Sequence, residues 1–358
     1  MPIQTPDELR EHLALAMRVE LSTIPPYLYA MYSIEDPRSE AARLILSIVA
    51  EEMLHLALAA NLLAAVGGKP DFLDPALQPT HPGLLAHHRP ALPLHLAPAS
   101  VALVRSTFMV IERPGAAGAA PEAEGYHSLG QFYAAVESAI ERLSAEGPLF
   151  VAGSESRQLA GHHFYGAVEF DAADSGDLVL VTDVASARAA IEVIVHQGEG
   201  LGEHRWADPA HQELTHYAKL ARIADGTVPL GSVLPLRIDP RSTDFPEPAH
   251  RIAALANASY RVLFHVLDAA YRPGAARGRL VRALYLLMTE ALGPLARHLT
   301  TMPLGDGTVA GPTFEPIDLG PDPARTLAML ASEVAVVEPA LAATVAPLLD
   351  GGRLGALD

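Results

Sequence analysis

Apolar residues recur at helical spacing along much of this chain, and the clearest stripe runs from Ala41 to Val66. The spacing predicts a helix with one buried face. Glu52 and His55 lie on that same face, three residues apart, so both side chains point the same way and lose water together. A metal ion would offset that loss, and Glu-x-x-His is the pair that di-metal four-helix bundles carry on a helix.

The first helix carries a second acid on its apolar stripe. Thr5 is a helix cap followed by proline, and Glu20 falls near the centre of the stripe. The sequence leaves two interpretations open, a metal ligand or a packing acid paired with Arg18 or Arg43. Because Pro25-Pro26 removes two backbone donors, a kink or break is expected one turn after Glu20.

A third helix, capped by Ser128, has Glu137 on the flank of its apolar stripe, one turn after Tyr133. Helical geometry alone makes Glu137 the candidate ligand from this helix, and a solvated surface acid is the alternative. Glu112 stands beside Arg113 at the end of a short helix that begins after Ser100. It is interpreted as a structural ion pair.

The fourth long helix begins after Thr182-Asp183 and reaches a glycine-rich stretch around Glu199. Glycines on both sides of one acid allow close backbone approach or a helix distortion beside a ligand. Glu199 faces the apolar side, and His216 lies on the inner face of the helix that follows. The two residues could replace an uninterrupted Glu-x-x-His, although a hydrogen-bonded core histidine would explain His216 equally well.

The remaining pattern predicts two regions. Residues 1–226 would form a bundle that contains a proline- and histidine-rich loop at 70–98 and a hairpin insertion at 147–183. The loop is interpreted as solvated, with a cover over the site as the alternative. Residues 227–358 would form a helical extension packed on the bundle. Its helices are expected near Ala249–Tyr271, Arg279–Thr300 and Pro323–Leu349, and the hairpin strands near Phe164–Phe170 and Leu178–Thr182.

Composition narrows the chemistry. The chain has no cysteine, which leaves His, Asp and Glu as the strong metal ligands. A formal net charge of −17 argues against nucleic acid and anionic membranes as partners. The N-terminal segment lacks a basic stretch followed by an apolar one, and no charge-free apolar run is long enough to span a membrane. A cytoplasmic location is therefore expected.

Four segments of the chain resemble a known family. They are Val-Glu20-Leu-Ser-Thr-Ile-Pro-Pro-Tyr-Leu, Glu51-Glu52-Met-Leu-His55, Gln197-Gly-Glu199-Gly and His216-Tyr217. The chain resembles, from about residue 5 to 224, the ferritin-like domain family named for iminophenyl-pyruvate dimer synthases of violacein-type and rebeccamycin-type biosynthesis. The resemblance is most specific in the first 70 residues.

The resemblance implies a mainly α fold, a ferritin-like four-helix bundle with a non-haem iron site. To this the pattern adds the small β-hairpin insertion and the extra C-terminal helices. The family motifs carry over as metal-ligand candidates onto Glu20, Glu52, His55, Glu199 and His216. Glu137 has no such support. In this arrangement Glu52 would bridge two metals.

The leading functional hypothesis is an oxygen-dependent non-haem oxidoreductase that holds two iron ions, with manganese as the alternative metal. Its partners would be dioxygen and a small amino-acid-derived or other secondary-metabolite substrate. The resemblance implies oxidative coupling of imines as the reaction. An iron-binding or ferroxidase-type protein and a metal-free scaffold are the alternatives, and the sequence leaves a homo-oligomer open. No catalytic residue beyond the metal ligands is predicted.

Overall fold

A computed structural model describes residues 2–116, 118–160, 177–198 and 214–349 of the chain. The described part is mainly helical, as predicted. The helices up to residue 224 are α1 Pro6–Ser33, α2 Glu40–Ala65, α3 Val101–Leu103, α4 Met109–Ile111, α5 Leu129–Glu146, α6 Val184–Gly198 and α7 His216–Ala224. Those after it are α8 Ala249–Ala270, α9 Arg277–Leu286, α10 Gly293–Leu299, α11 Pro323–Ala335, α12 Pro339–Ala342 and α13 Ala346–Leu349.

Four long helices form the predicted bundle. Helix α1 packs against α2 and α5, and α6 packs against α2 and α5, which closes the set. Thr5 caps α1 and exchanges hydrogen bonds with Glu8, so the start of this helix follows from a local sequence signal. Ser39 caps α2 and Ser128 caps α5 in the same way. The short connection between α1 and α2 keeps them neighbours.

Helix α1 remains continuous through Pro25-Pro26, so the expected break is absent from it. Pro26 has no N–H, which leaves the carbonyl of Ser22 without its helical donor. The Nε2 atom of His81 lies 3.4 Å from this carbonyl oxygen. A side chain from the loop at 70–98 thus lies against the helix where the backbone bond is missing.

Two shorter helical segments pack on each other, and the second of them also packs on α2. The first runs from α3 through a π-helical turn at Val104–Phe108 into α4. The second is α7, which packs on both α2 and the π-helical turn. A π turn adds a residue to the helical repeat, and such turns are frequent at functional sites.

The expected hairpin stays a prediction, because its first strand, Phe164–Phe170, lies outside the described residues. Leu178–Thr182 has no strand partner in the part of the chain that the structure describes. The buried Asn61 of α2 instead donates to the carbonyl of Val179. A small antiparallel pair, β1 Gly83–Leu84 and β2 Pro93–Leu94, occurs in the loop at 70–98, where no strand was predicted.

The C-terminal helices pack on one another and on the bundle. Helix α8 contacts α9, α10 and α11. The hydroxyl of Tyr271, just after α8, donates to the carbonyl of Ala57 in α2 at 3.1 Å. The sequence predicts one last helix over Pro323–Leu349, but the structure divides it. Helix α11 ends at Ala335, and Pro339, which lacks a backbone N–H, begins the short helix α12.

By length and composition, α2 is the one helix among the described residues that could cross a membrane. In the structure, 89% of its most apolar window is buried by the surrounding protein. It also carries Glu51, Glu52 and His55 among its buried residues. Helix α2 is therefore the core helix of the bundle.

Candidate metal centre

Helices α1 and α2 bring three polar side chains together in the core. Glu20 comes from α1, and Glu52 and His55 come from α2; none of them is more than 2% exposed. The Nδ1 atom of His55 lies 3.7 Å from an oxygen of Glu20 and 3.7 Å from Oε1 of Glu52. One potential ligand atom from each residue lies within 4.8 Å of the other two.

A second group of the same composition lies beside the first. Glu112 follows α4, and His216 is the first residue of α7. The Nδ1 atom of His216 is 3.1 Å from Oε1 of Glu52 and 3.3 Å from Oε2 of Glu112. These three residues also place ligand atoms within 4.8 Å of one another. Glu52 belongs to both groups and therefore lies between two candidate cation positions.

Hydroxyl groups hold the carboxylates. Tyr133 of α5 donates to Glu20 at 2.5 Å, and Tyr27 of α1 donates to Glu112 at 2.5 Å. The hydroxyl of Thr23 contacts Oε2 of Glu52. Each carboxylate thus has one oxygen held by a neighbouring hydroxyl and the other directed toward an imidazole. Such contacts fix the orientation of potential ligands.

The outward nitrogen of each imidazole is also paired. Nε2 of His55 lies 2.9 Å from the amide oxygen of Gln197. Nε2 of His216 lies 2.7 Å from a carboxylate oxygen of Glu51. Lys219 donates to both oxygens of Glu51, at 2.6 and 2.7 Å. Both imidazoles therefore have Nδ1 facing the carboxylates and Nε2 occupied by an outer partner.

The buried carboxylates and imidazoles of the cluster shift one another's pKa values. Burial raises the pKa of Glu20, against the opposing hydrogen bond with His55. Burial lowers the pKa of His55, but hydrogen bonds with Glu20 and Glu52 outweigh it and raise that pKa to about 9. Burial also opposes the charge on His216, yet Glu112 and Glu51 raise its pKa well above the usual value. The imidazoles thus take the place of cations.

The donor set fits a pair of metal ions. Hard carboxylate oxygens with borderline imidazole nitrogens are the ligands that iron and manganese accept. Four buried carboxylates, those of Glu20, Glu51, Glu52 and Glu112, face one buried ammonium group and two imidazoles. Divalent ions would balance this charge without protonating the imidazoles.

The structure brings four of the predicted ligand candidates together. Glu20, Glu52, His55 and His216 share one buried cluster, as their inward-facing positions predicted. Glu199 lies outside the described residues, which end in this region at Gly198. The role of these five residues as metal ligands stays a prediction.

Glu137 requires a correction, because the structure does not place it in the cluster. Its carboxylate accepts from Arg188 of α6 at 2.9 Å, and its side chain is 34% exposed. Tyr133, one turn earlier on α5, is fully buried and contacts Glu20 instead. Glu137 lies on the flank of the apolar stripe of α5, and in the structure that flank faces α6 rather than the bundle interior.

Glu112 is the residue that the sequence interpretation missed. It was assigned to an ion pair with Arg113, but its side chain is buried and contacts Tyr27 and His216. A signal was present, since Val104, Phe108 and Glu112 follow one another at intervals of four residues. That spacing places Glu112 on the buried side of its helical segment.

Comparison with known proteins places this chain in a wider group. A model of the ferritin-like family matches residues 13–225. Dichlorochromopyrrolate synthase from Lentzea aerocolonigenes is 26% identical over 88% of this chain and 36% of its own length. The 2-imino-3-(indol-3-yl)propanoate dimerase of Chromobacterium violaceum is 27% identical over 88% of this chain and 34% of its own length. The chain therefore spans about a third of these curated relatives.

A solved structure supports the fold. The crystal structure of a ferritin-like protein from Caulobacter vibrioides superposes with a TM-score of 0.64. The alignment covers 86% of this chain and 99% of that chain, at 23% sequence identity. At this identity the likeness concerns the fold alone.

Proposed function

This chain belongs to the ferritin-like family, and from that premise we propose that its buried cluster binds two metal ions and that the loaded protein is an oxidoreductase. The observation that carries the proposal is Glu52, which completes two carboxylate–histidine groups at once. A shared carboxylate is the arrangement that di-metal bundles use. We propose iron as the metal, with manganese as the alternative.

Each residue of the cluster would have a defined task. Glu20 and His55 would hold one ion, Glu112 and His216 would hold the other, and Glu52 would bind both. Two bound iron ions would pass electrons from the substrate to dioxygen. The apolar core of the bundle would exclude bulk water from this site.

We propose an amino-acid-derived small molecule as the substrate. The support is the pair of relatives, one named for making dichlorochromopyrrolate and the other for joining 2-imino-3-(indol-3-yl)propanoate. Joining two imines oxidatively would form one bond between them and remove two electrons and two protons, which dioxygen would accept as it is reduced to hydrogen peroxide. This chain spans about a third of the length of those relatives. The coupling reaction is therefore the most specific part of the proposal.

Metal analysis of the purified protein after loading with Fe(II) tests the proposal. About two ions per chain are expected for the wild type. Glu112→Gln should lower the content to about one, and Glu52→Ala should remove most of both. Glu137→Gln is the matched control, since this exposed glutamate pairs with Arg188 and should leave the content unchanged.

Dioxygen consumption then separates an enzyme from a store. An oxidoreductase should consume dioxygen in proportion to added substrate, whereas a storage protein should consume it in proportion to added Fe(II) alone. Loss of metal in Glu137→Gln, or full content in Glu52→Ala, would contradict the assigned centre. A wild-type protein that binds no metal would favour the scaffold.

A further inference from the structure

The two candidate metal positions match in their inner residues. Each has one imidazole and one glutamate of its own, and they share Glu52. Each unshared glutamate accepts a hydrogen bond from a buried tyrosine, Glu20 from Tyr133 and Glu112 from Tyr27, both at 2.5 Å. Among the described residues, therefore, the two inner sets match in residue types and in their hydroxyl partners.

The outer partners of the imidazoles do differ. His55 has the neutral amide oxygen of Gln197 at 2.9 Å from its Nε2. His216 has the carboxylate of Glu51 at 2.7 Å, and the ammonium group of Lys219 contacts both oxygens of that carboxylate. Glu51 and Lys219 are each 3% exposed, so water screens little of this interaction.

This difference affects how strongly each imidazole binds a cation. A carboxylate that accepts the outer N–H of a histidine increases electron density at the opposite nitrogen, whereas an amide oxygen does so less. Two hydrogen bonds from Lys219 hold the carboxylate of Glu51 in a fixed orientation. Because His216 and Lys219 lie three residues apart on α7, both side chains reach the same carboxylate of α2.

We propose that the Glu51–Lys219 pair makes the two metal positions unequal, so that the position at His216 binds its ion more tightly and fills first. Glu51 acts here as a positioning residue, through His216. This inference rests on the proposed function, because it requires that both positions bind metal.

Titration of the metal-free protein with Mn²⁺ tests the order of filling. Free Mn²⁺ is followed by its electron paramagnetic resonance signal, and no turnover is needed. Two steps are expected, with affinities that differ about 10- to 100-fold. His216→Ala should remove the tighter step, and His55→Ala should remove the weaker one.

The double variant Glu51→Gln/Lys219→Met tests the cause. It leaves His216 an amide acceptor, as His55 has in Gln197, and it leaves no unpaired lysine in the core. The tighter step should weaken about tenfold or more, which brings the two affinities together. Lys219→Arg keeps the ion pair and should preserve both steps. Gln197→Leu should weaken the second step alone. Circular dichroism checks that each variant is folded.

Equal affinities in the wild type would overturn the inference while leaving the proposed function intact. Unchanged steps in the folded double variant would also overturn it, even if thermal stability falls, since that result assigns Glu51 a purely structural role. Removal of the weaker step by His216→Ala would reverse the proposed order and overturn it as well. A wild-type protein that binds no Mn²⁺ and no iron would remove the proposed function itself, and the inference with it.

Discussion

Single polar residues in this core are stabilised by specific partners. Burying an ionisable group without a partner is costly, and the carboxylates of the cluster each have hydroxyl or imidazole contacts. Only one of the two ring nitrogens of His81 has a hydrogen-bond partner in the described residues. Its Nε2 faces the carbonyl of Ser22, whereas its buried Nδ1 has no hydrogen-bond partner within the described part of the chain.

The pairing of His81 predicts a pH dependence of stability. Burial lowers the pKa of His81 to about 4 in the folded protein, whereas an exposed histidine titrates near 6.5. The unfolded chain therefore binds the proton more readily, and stability falls as the pH drops from 6.5 towards 4. The loss from this residue is at most about 3 kcal/mol.

Urea unfolding of the wild type and His81→Gln at pH 7 and pH 4.5 measures this effect. The variant should lose less stability than the wild type between the two pH values. His87→Gln, at an exposed position in the same loop, serves as the control and should follow the wild type. Parallel pH profiles for the wild type and His81→Gln would contradict the assignment.

At the scale of elements, α2 organises the molecule. One part of the helix supplies Glu51, Glu52 and His55 to the cluster, and another part supplies Asn61. The amide of Asn61 donates to the carbonyls of Leu159 and Val179, and its oxygen accepts from the N–H of Leu159. The helix thereby binds two separate extended segments through one fully buried side chain.

Asn61→Leu should lower the free energy of unfolding by about 2–4 kcal/mol, because three backbone groups lose their partner in the core. Urea unfolding followed by circular dichroism measures the change. Gln131→Leu is the control, since that amide donates to the carbonyl of Ala120 at the exposed surface and should cost less than about 1 kcal/mol. Equal losses in the two variants would argue against the bridging role of Asn61.

The bundle helices and much of the site could be predicted from local signals. Caps at Thr5 and Ser128 predicted the starts of α1 and α5, and the buried stripe of α2 placed Glu52 and His55 inward. The rest depended on packing. The apolar stripe of a helix does not show which neighbouring helix its flank contacts. The sequence therefore placed Glu137 in the metal site, whereas the structure pairs it with Arg188.

Tertiary contacts explain the other departures. The segment that ends in Glu112 looked like a helix end before a proline, yet the fold brings it against Tyr27 and α7. Pro25-Pro26 predicted a kink or break, but α1 continues as one helix through both prolines, which are buried in the core. These outcomes depend on residues far apart in the sequence.

At the scale of the whole molecule, the C-terminal part is joined to the bundle by specific contacts. Arg297 of α10 donates to the carbonyls of Tyr32 and Ile34 at the end of α1, both at 3.1 Å. Its guanidinium group also lies 5.1 Å from the centre of the Tyr32 ring. We propose that residues 227–358 form an extension that depends on the bundle.

Arg297→Leu should therefore lower the free energy of unfolding by about 1–3 kcal/mol, because the carbonyls at the end of α1 lose their donors. Arg282→Leu is the matched control, since Arg282 is exposed and lies 5.9 Å from the ring of the exposed Tyr285. Thermal unfolding followed by circular dichroism compares the two. A midpoint for Arg297→Leu no lower than that of the control would show that these contacts are dispensable.

Glu52 belongs to both three-residue groups, and this affects how the sequence of such a protein can change during evolution. A descendant that replaced Glu20 or Glu112 would keep one complete half of the centre and could pass through a mononuclear stage with new chemistry. Replacement of Glu52 would damage both halves in one mutational event. If the cluster holds two ions as proposed, evolutionary routes from two ions to one would therefore begin at the unshared glutamates, Glu20 and Glu112.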